Sequence, residues 1–487
     1  MGGRHAGTKP RGLRGHPPCA GAGHPAFPAG GFRLNTPPVR RLLSWYGDDL
    51  TGSTDAMEAL TLAGLSSVLF LDPATPAQLR RFAHCQAIGL AGTSRSQTPE
   101  WMDAHLPDAF AWLRGLGADV CHYKVCSTFD SSPAIGSIGR ALEIGQRSFG
   151  QMRIPIIVGV PQLRRYTFFG HLHAGFRDEV HRIDRHPVMA CHPVTPMAES
   201  DLRRHLARQT RMPVDLLDWQ HLSGLDAAGF QALPTGADGE ARGLLIDVID
   251  QATQSAAGRA VWWLSQERGS PLVIGSSGVE YGLVPVWRQA GLLAPAAAAP
   301  PVGAVERIAV VSGSCSATTA RQIRWAGEHG YALVPIDARS LASATDAAGE
   351  EDRVYREALQ ALNTGNSVIA YSALGPDHLA PIGAPTGPDS GPHVLGSRIG
   401  RLLRRLVAAA GLRRVVIAGG DTSSHALREL DVTALTVALP LPQSPGSPLC
   451  RAHSASPVTD GLEVALKGGQ IGADDYFERI RLGSASH

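Results

Sequence analysis

Short apolar runs alternate with longer helical patterns along the chain from residue 41 onward. The runs have the length of buried strands, and polar turns or helical stretches such as STDAMEALTLAGL (53–65) separate them. This alternation predicts βαβ units and a largely parallel sheet. The runs predicted as strands before residue 290 are RLLSWYG (41–47), SSVLFL (66–71), CQAIGLAG (85–92), PIIVGVP (155–161), GLLIDVID (243–250) and PLVIGSSG (271–278).

A second series of the same kind follows an uncharged stretch rich in Ala and Pro, AGLLAPAAAAPPVGAV (290–305). Such a stretch is typical of a linker between domains. The second series consists of RIAVVSGSCSATTARQIRWAGEHG (307–330), NSVIAYSAL (366–374) and GLRRVVIAGGDTSSHALREL (411–430). We therefore predict an α/β fold of two α/β domains with largely parallel sheets and an active-site cleft between them. The predicted segments are a disordered extension (1–40), an N-terminal domain (41–292), a linker (293–304) and a C-terminal domain (305–483).

Composition narrows the class of protein. The 487 residues are 44% hydrophobic and 6% aromatic, and no stretch approaches the roughly 20 apolar residues that span a bilayer. The net charge of +2 does not favour nucleic acid as a partner. The seven cysteines form no CxxC pair, which favours reduced thiols in the cytoplasm. Residues 1–40 are rich in Gly, Pro and Ala and carry no acid, so they indicate disorder or a start codon assigned too early.

Small-residue loops follow strands of the second series and open helices. Free N–H groups and the positive end of a helix dipole attract phosphate at such positions. The chain contains neither a Walker A pattern nor GxGxxG, which argues against a Rossmann dehydrogenase. Each loop alone is also compatible with an ordinary turn, but together they favour a nucleotide. The candidate nucleotide-binding residues are Ser312, Ser314, Ser316, Gly419, Gly420, Asp421, Thr422, Ser423, Lys467, Gly468 and Gly469.

Charged and hydroxylated residues follow strands of the first series. Asp48 and Asp49 end the first run, and Arg95 follows a later one. Arg and Lys suit a carboxylate, carboxylates and hydroxyls suit a polyol, and an aspartate beside a hydroxyl can act as a general base. Helix capping and surface ion pairs are the alternative. The candidate substrate-binding residues are Arg95, Lys124, Ser127, Thr128 and Asp130.

Eight stretches in order resemble the four-carbon acid sugar kinase family across about 440 residues. They are GDDLTGSTDAME, TSRS, YKVCSTFDSS, HPVTPM, IGSSGVEYGL, VSGSCSATTARQI, AGGDTSS and GLEVALKGGQIG. The resemblance implies that the N-terminal domain holds a sugar acid and the C-terminal domain holds ATP with Mg²⁺. It implies phosphorylation of a terminal hydroxyl, with Asp48 and Asp49 as catalytic residues. We predict no metal-binding residue of the protein's own.

The substrate and the alternatives stay open within that resemblance. KVCSTFDSS looks more like 3-oxo-tetronate kinases than like threonate or erythronate kinases, so 3-oxo-tetronate is the first expected substrate. A second copy in a homodimer is a possible partner besides the sugar acid and ATP. A non-kinase sugar-acid enzyme and a non-catalytic binding or effector-like protein are the alternatives. Residues 171–192 carry five histidines whose spacing matches no standard zinc site, and the resemblance implies a loop near the substrate there.

Overall fold

The computed structural model describes residues 39–233, 240–296, 302–376 and 392–484. The expectation of disorder for residues 1–40 thus falls almost wholly outside the described residues, as does the centre of the predicted linker. Every run predicted as a strand overlaps a strand of the structure, and the α/β class is confirmed. We call the described residues up to 296 the N-terminal half and those from 302 the C-terminal half.

Most elements of the N-terminal half alternate in type along the chain, but four strands (β5 to β8) and two helices (α6 and α7) follow one another directly. Its strands are β1 (Leu43–Gly47), β2 (Ser67–Phe70), β3 (Ala87–Ala91), β4 (Val120–Lys124), β5 (Arg153–Ile157), β6 (Arg165–Phe168), β7 (His171–Phe176), β8 (Glu179–Arg182), β9 (Val214–Leu217), β10 (Arg242–Ile246) and β11 (Leu272–Gly275). Its helices are α1 (Leu50–Ala63), α2 (Pro76–Arg81), α3 (Pro99–Gly115), α4 (Ile138–Phe149), α5 (Leu202–Ala207), α6 (Trp219–Ser223), α7 (Ala227–Ala232), α8 (Gln251–Arg268) and α9 (Gly278–Gln289).

The C-terminal half begins with the same alternation and ends in antiparallel strands. Its strands are β12 (Ala309–Ser312), β13 (Ala332–Pro335), β14 (Val368–Tyr371), β15 (Arg414–Ala418), β16 (Val432–Leu439), β17 (Leu449–Ser454) and β18 (Glu463–Lys467). Its helices are α10 (Ala317–Glu328), α11 (Ala338–Leu341), α12 (Ala347–Asn363), α13 (Pro392–Ala410), α14 (Gly420–Glu429) and α15 (Tyr476–Leu482).

One sheet runs through both halves. Its strand order is β13-β14-β12-β15-β18-β17-β16-β2-β3-β1-β4-β11-β5-β10-β9. The strands of each half's main series are parallel to one another, whereas β16 and β17 pair antiparallel with their neighbours. The main series of the two halves therefore run in opposite directions. The halves join where β16 pairs with β2, through Ala434 opposite Phe70 and Leu435 opposite Leu69.

Burial explains why these runs form strands of a covered sheet. All five residues of β1 are buried, as expected for a parallel strand with both faces covered by helices. The helix that follows, α1, is capped at its start by the Asp49 side chain, which accepts from the N–H of Gly52. Gly64 ends it in the left-handed conformation. A single apolar core extends from Met57 of α1 to Leu466 of β18.

The segment expected to be a loop at residues 171–192 is instead partly a small antiparallel sheet of β6, β7 and β8. Phe169 and Gly170 form the two-residue turn between β6 and β7, both with positive φ. The carboxylate of Asp247 holds this turn by accepting from the N–H groups of Phe169 at 2.7 Å and Gly170 at 3.0 Å. The expectation of a loop is therefore wrong for residues 171–182, where β7 and β8 pair, and the carboxylate of Asp247 stabilises the preceding turn, which Phe does not favour by itself.

Candidate functional site

Arg95 binds both aspartates that follow β1. Its guanidinium contacts the two oxygens of Asp48, with Nε at 3.1 Å and Nη2 at 2.8 Å, and Nη1 lies 2.8 Å from Asp49 Oδ2. The Asp48 side chain is 6% exposed and that of Asp49 is 28% exposed. Burial raises the pKa of Asp48 to about 6, against the opposing effect of Arg95. The structure thus brings these three predicted residues together at the carboxyl end of β1.

Lys124 lies beneath the first turn of α1. Its side chain is 2% exposed, and its ammonium lies 3.0 Å from Asp55 Oδ2 and donates to the carbonyl of Val125. A Cβ added at Gly52 would lie 3.5 Å from Lys124 Nζ, so the lysine supports the helix start from below. Lys124 is therefore more enclosed than a residue expected to bind substrate directly.

A tight turn after β4 presents the predicted hydroxyl and acid side chains. Thr128 donates to Asp130 at 2.6 Å, and the buried Phe129 between them has φ 55°. Thr195 donates to the other oxygen of Asp130 at 3.2 Å. Ser127 is half-buried at the same turn. Burial alone would raise the pKa of Asp130, but Arg95 and Thr128 outweigh it and lower that pKa. Asp130 is thus an ionised acceptor near Arg95.

The loop after β12 is held together by hydroxyl groups. Ser316 caps α10, and its Oγ also donates to the carbonyl of Gly469. Ser314 receives hydrogen bonds from the N–H of Ser316 and from the hydroxyl of Thr319. Ser312 is fully buried at the strand end and accepts from the N–H of Ser314. These serines therefore shape the start of α10.

The loop after β15 packs against this serine loop. Gly419 has φ 118°, and a Cβ there would lie 3.3 Å from the N of Ser314. A Cβ added at Gly313 would overlap the hydroxyl of Thr422, so glycine is required for this close approach. A Cβ at Gly420 would meet open space. Ser423 donates to the carbonyl of Gly419, and the side chain of Asp421 lies outside the described residues.

Lys467 ends β18 and is buried among neutral acceptors. Its ammonium donates to Thr319 Oγ1 at 2.9 Å, to the carbonyl of Gly468 at 3.0 Å and to that of Gly469 at 3.4 Å. Burial lowers the pKa of Lys467 to about 7. A ligand that brings negative charge to this loop would stabilise the ammonium form.

Residues 467–469, which we call the 467–469 loop, join the two groups of candidate residues. A Cβ at Gly468 would lie 3.5 Å from Thr51 Cγ2 in the first turn of α1, and one at Gly469 would lie 3.2 Å from Ser314 Oγ. The N–H of Gly419, at the start of α14, donates to the carbonyl of Lys467. The starts of α1, α10 and α14 therefore meet around this loop. Their dipoles favour an anion with several charges there.

Known proteins similar to this chain share both halves. Models of a sugar-binding N-terminal domain and a nucleotide-binding C-terminal domain match residues 43–283 and 309–477. A 3-oxo-isoapionate kinase from Paraburkholderia graminis is 45% identical over 94% of this chain and 98% of its own length. The chain belongs to the four-carbon acid sugar kinase family. It is a phosphotransferase with an alcohol group as acceptor, a sugar-acid kinase.

Another kinase and a solved structure are also similar to this chain over most of its length. A 3-oxo-tetronate kinase from Cupriavidus necator is 30% identical over 90% of this chain and 96% of its own length. A crystal structure from Salmonella typhimurium LT2 superposes with a TM-score of 0.71 at 25% identity, covering 90% of this chain and 98% of that one. Among the described residues of the kinase, no helix is long and apolar enough to cross a membrane.

Three threonines of this site were not among the predicted residues. Thr195 lies in the HPVTPM stretch, Thr319 lies one turn into α10 and Thr51 lies in the first turn of α1. All three lie inside stretches that carry the family resemblance. A search for hydroxyls within those stretches could have found them, whereas their partners across the fold could not be read from sequence.

The five histidines of residues 171–192 do not converge on one point but contact different groups. His171 contacts Ser200, His181 contacts Glu179, and His186 accepts from the N–H groups of Val188 and Met189. His173 contacts the carbonyl of His171. His192 accepts from the N–H of Thr195, so it alone of the five adjoins the Asp130 turn. Within the described ranges, no group of three His, Cys, Asp or Glu residues could hold a metal ion.

Proposed function

We propose that this kinase uses ATP to phosphorylate a hydroxyl of a 3-oxo sugar acid, with 3-oxo-isoapionate as the first candidate. The relative of that name is 45% identical, against 30% for the 3-oxo-tetronate kinase from Cupriavidus necator. The 3-oxo-tetronates become the second candidates, followed by threonate and erythronate.

The close approach of Thr51 to Gly468 carries the proposal. It places Asp48 and Asp49, at the start of α1, next to the loops of the nucleotide-binding half. A sugar acid beside Arg95 would then present a hydroxyl toward a phosphate held at the 467–469 loop. Phosphoryl transfer depends mainly on such positioning and on charge stabilisation.

The acceptor side has a role for each charged group. Asp49 is the more exposed aspartate and would accept the hydroxyl proton, while buried Asp48 fixes Arg95. Arg95 would bind the substrate carboxylate with the N–H groups that the aspartates leave free. Lys124 would act through Asp55 to hold the start of α1.

Hydroxyl groups of the substrate would meet the turn after β4. Asp130 and Thr128 would bind one hydroxyl, and Ser127 lies at the same turn for another. Thr195 would keep Asp130 in place from the opposite side. A 3-oxo group changes which substrate oxygens can donate hydrogen bonds, so this turn is where we expect discrimination among sugar acids.

The donor side would be formed by the three small-residue loops. Ser314, Ser316 and Gly419 to Ser423 would surround the phosphates, and Lys467 would neutralise part of their charge. Mg²⁺ bound to ATP keeps several waters and needs only one or two protein carboxylates, and Asp49, whose side chain is 28% exposed, could accept from one of those waters. When bound, Mg²⁺ would supply charge neutralisation on the phosphate oxygens.

An ATP-consumption assay with Mg²⁺ tests the proposal. The panel contains 3-oxo-isoapionate, 3-oxo-tetronates generated in situ by a dehydrogenase, and D- and L-threonate and erythronate. The expected result is the highest kcat/KM with 3-oxo-isoapionate. Higher kcat/KM with a 3-oxo-tetronate would overturn the substrate but keep the class. If no compound of the panel causes ATP consumption, the proposal that a 3-oxo sugar acid is the substrate is wrong.

A further inference from the structure

Glu58 is a buried carboxylate that connects the two halves. Its side chain lies on α1, one turn beyond Asp55, and the residue is 3% exposed. One oxygen accepts from the N–H of Leu441 at 2.5 Å and the other from the N–H of Gly446 at 2.8 Å. Within the described part of the chain it forms no ion pair with Lys, Arg or His. Burial raises its pKa to about 7, so its ionised form is costly to hold there.

The segment that Glu58 holds leads directly to the 467–469 loop. Ser447 follows Gly446, and its hydroxyl accepts from the N–H of Gly468 at 3.3 Å. The hydroxyl of Tyr476 donates to the carbonyl of Ser447 at 3.0 Å and fixes that residue from α15. Thr54 adds a second link from α1 by donating to the carbonyl of Gly446 at 2.8 Å.

The same helix carries the acceptor side of the site. Asp49 begins α1, and Asp55 ties its second turn to Lys124. Glu58 therefore lies on the helix that begins at Asp49, and it holds residues 441–447, which lead to the 467–469 loop. A small shift at this point would move the attacking hydroxyl and the transferred phosphate relative to each other.

We propose that Glu58 is a positioning residue that fixes the start of α1 against the 467–469 loop and so aligns the acceptor hydroxyl with the phosphate of ATP. This rests on the proposed function, since it takes Asp49 and the 467–469 loop as the two sides of the reaction. Glu58 does not touch substrate. Loss of its carboxylate would misalign the acceptor hydroxyl and the phosphate. A misplacement of reacting groups by about 1 Å can lower a rate by roughly 100-fold.

The test is steady-state kinetics of Glu58→Gln, which keeps the size of the side chain but replaces one acceptor by a donor. We expect kcat to fall by about 10- to 100-fold. The KM for the sugar acid and the Kd for ATP should stay within about threefold, because neither binding surface changes. The matched control is Glu350→Gln. Glu350 is also a largely buried carboxylate that accepts from a backbone N–H, that of Asp337, but it lies on α12. Its variant should keep the wild-type kcat.

Ser447→Ala is the second variant, for the case that Glu58→Gln does not fold. It removes the acceptor for the N–H of Gly468, and it should lower kcat in the same selective way but less. A folded Glu58→Gln with wild-type kcat would overturn the inference. So would a fall in kcat that is matched by weaker ATP binding or shared by Glu350→Gln. A wild-type chain that transfers no phosphate would contradict the proposed function and the inference together.

Discussion

Asp48 and Asp49 are neighbours in sequence but lie in different environments. Both oxygens of Asp48 contact Arg95, and its side chain is almost fully buried. Asp49 shares one oxygen with Arg95 and one with the N–H of Gly52, and more than a quarter of its side chain faces solvent. An exposed carboxylate at the start of a helix can reach a substrate hydroxyl, whereas a buried one can only orient its neighbours. This difference supports Asp49 as the base.

Replacing Asp49 by Asn should lower kcat by about 10²- to 10⁴-fold, the range typical of a lost general base. Asn keeps the oxygen that caps α1, so the fold and ATP binding should be preserved. The measurement is kcat together with the Kd for ATP. Asp72→Asn is the control, since Asp72 is half exposed and pairs with Arg428 away from the acid pair. A near-normal kcat for Asp49→Asn would remove Asp49 from the base role.

Lys467 should take up a proton when ATP binds. Its pKa of about 7 lies below the ordinary lysine value because of burial, so most of the free enzyme carries a neutral amine at pH 8. Phosphate nearby would raise that pKa and favour the ammonium. Calorimetry of ATP binding at pH 8, in two buffers of different ionisation enthalpy, should show uptake approaching one proton. Lys467→Met should abolish it, and equal uptake in both proteins would contradict the assignment.

The lowered pKa of Lys467 also affects the stability of the folded protein. Because the folded-state pKa of Lys467 is depressed, the charged form costs free energy of folding at pH values below about 7. That cost should disappear as pH rises from about 7 toward the ordinary lysine pKa. The Lys467→Met variant should therefore gain stability relative to wild type most clearly at the acidic end of this range.

Most charged residues of the candidate site could be predicted from sequence, whereas their hydroxyl partners could not. Asp48 and Arg95 follow predicted strands, and Lys467 is one of only three lysines in the chain and precedes two glycines, so local sequence indicates all three. Thr195 and Thr319 are common residues within ordinary turns and helices. Their partners lie 65 and 148 residues away, at Asp130 and Lys467, and such separations leave no local signal.

Among the elements, α8 and α9 pack unusually closely. A Cβ added at Gly258 of α8 would overlap the carbonyl of Gly282 in α9. Backbone atoms cannot move aside as a flexible side chain can. The two glycines therefore set the distance between helices that cover the N-terminal part of the sheet.

Gly258→Ala should destabilise the protein by about 1–3 kcal/mol, the usual cost of overpacking. The free energy of unfolding from denaturant titration measures this effect. Gly349→Ala is a matched control, because Gly349 lies in α12 and an added Cβ would meet nothing within 4 Å. That variant should be stabilised by up to about 1 kcal/mol through helix propensity. Equal effects of the two substitutions would show that α8 and α9 tolerate separation.

Elements with a local signature were predictable, and those that depend on distant partners were not. The strand and helix of residues 41–65 follow from apolar runs and spacing. The turn between β6 and β7 carries Phe169 with positive φ, which depends on Asp247, 78 residues away. β16 pairs with β2 of the other half, and no pattern within residues 432–439 indicates β2 as the neighbour.

At the scale of the molecule, the two predicted domains share one sheet and one large apolar cluster. β16 extends the sheet of the C-terminal half onto β2, and the N–H of Leu71 adds a hydrogen bond to the carbonyl of Thr433. The apolar core includes Leu60 of α1 together with Leu435 of β16. The linker composition of residues 293–304 predicts that the domains are separable. The pairing of β16 with β2 instead makes it unfavourable for either half to unfold alone. Sequence patterns describe each half and leave such pairing undetermined.

The two halves should therefore unfold together in one thermal transition. Breaking β16 from β2 would expose apolar core on both sides, so neither half is expected to stay folded without the other. Differential scanning calorimetry of the full chain should give equal calorimetric and van't Hoff enthalpies. Saturating ATP should raise the temperature of the whole transition, because it binds only the folded state. Two transitions, of which ATP shifts only one, would show instead that the pairing of β16 with β2 couples the halves weakly. In that case the alignment of the sugar acid with ATP would depend mainly on the hydrogen bonds that Glu58 accepts from Leu441 and Gly446.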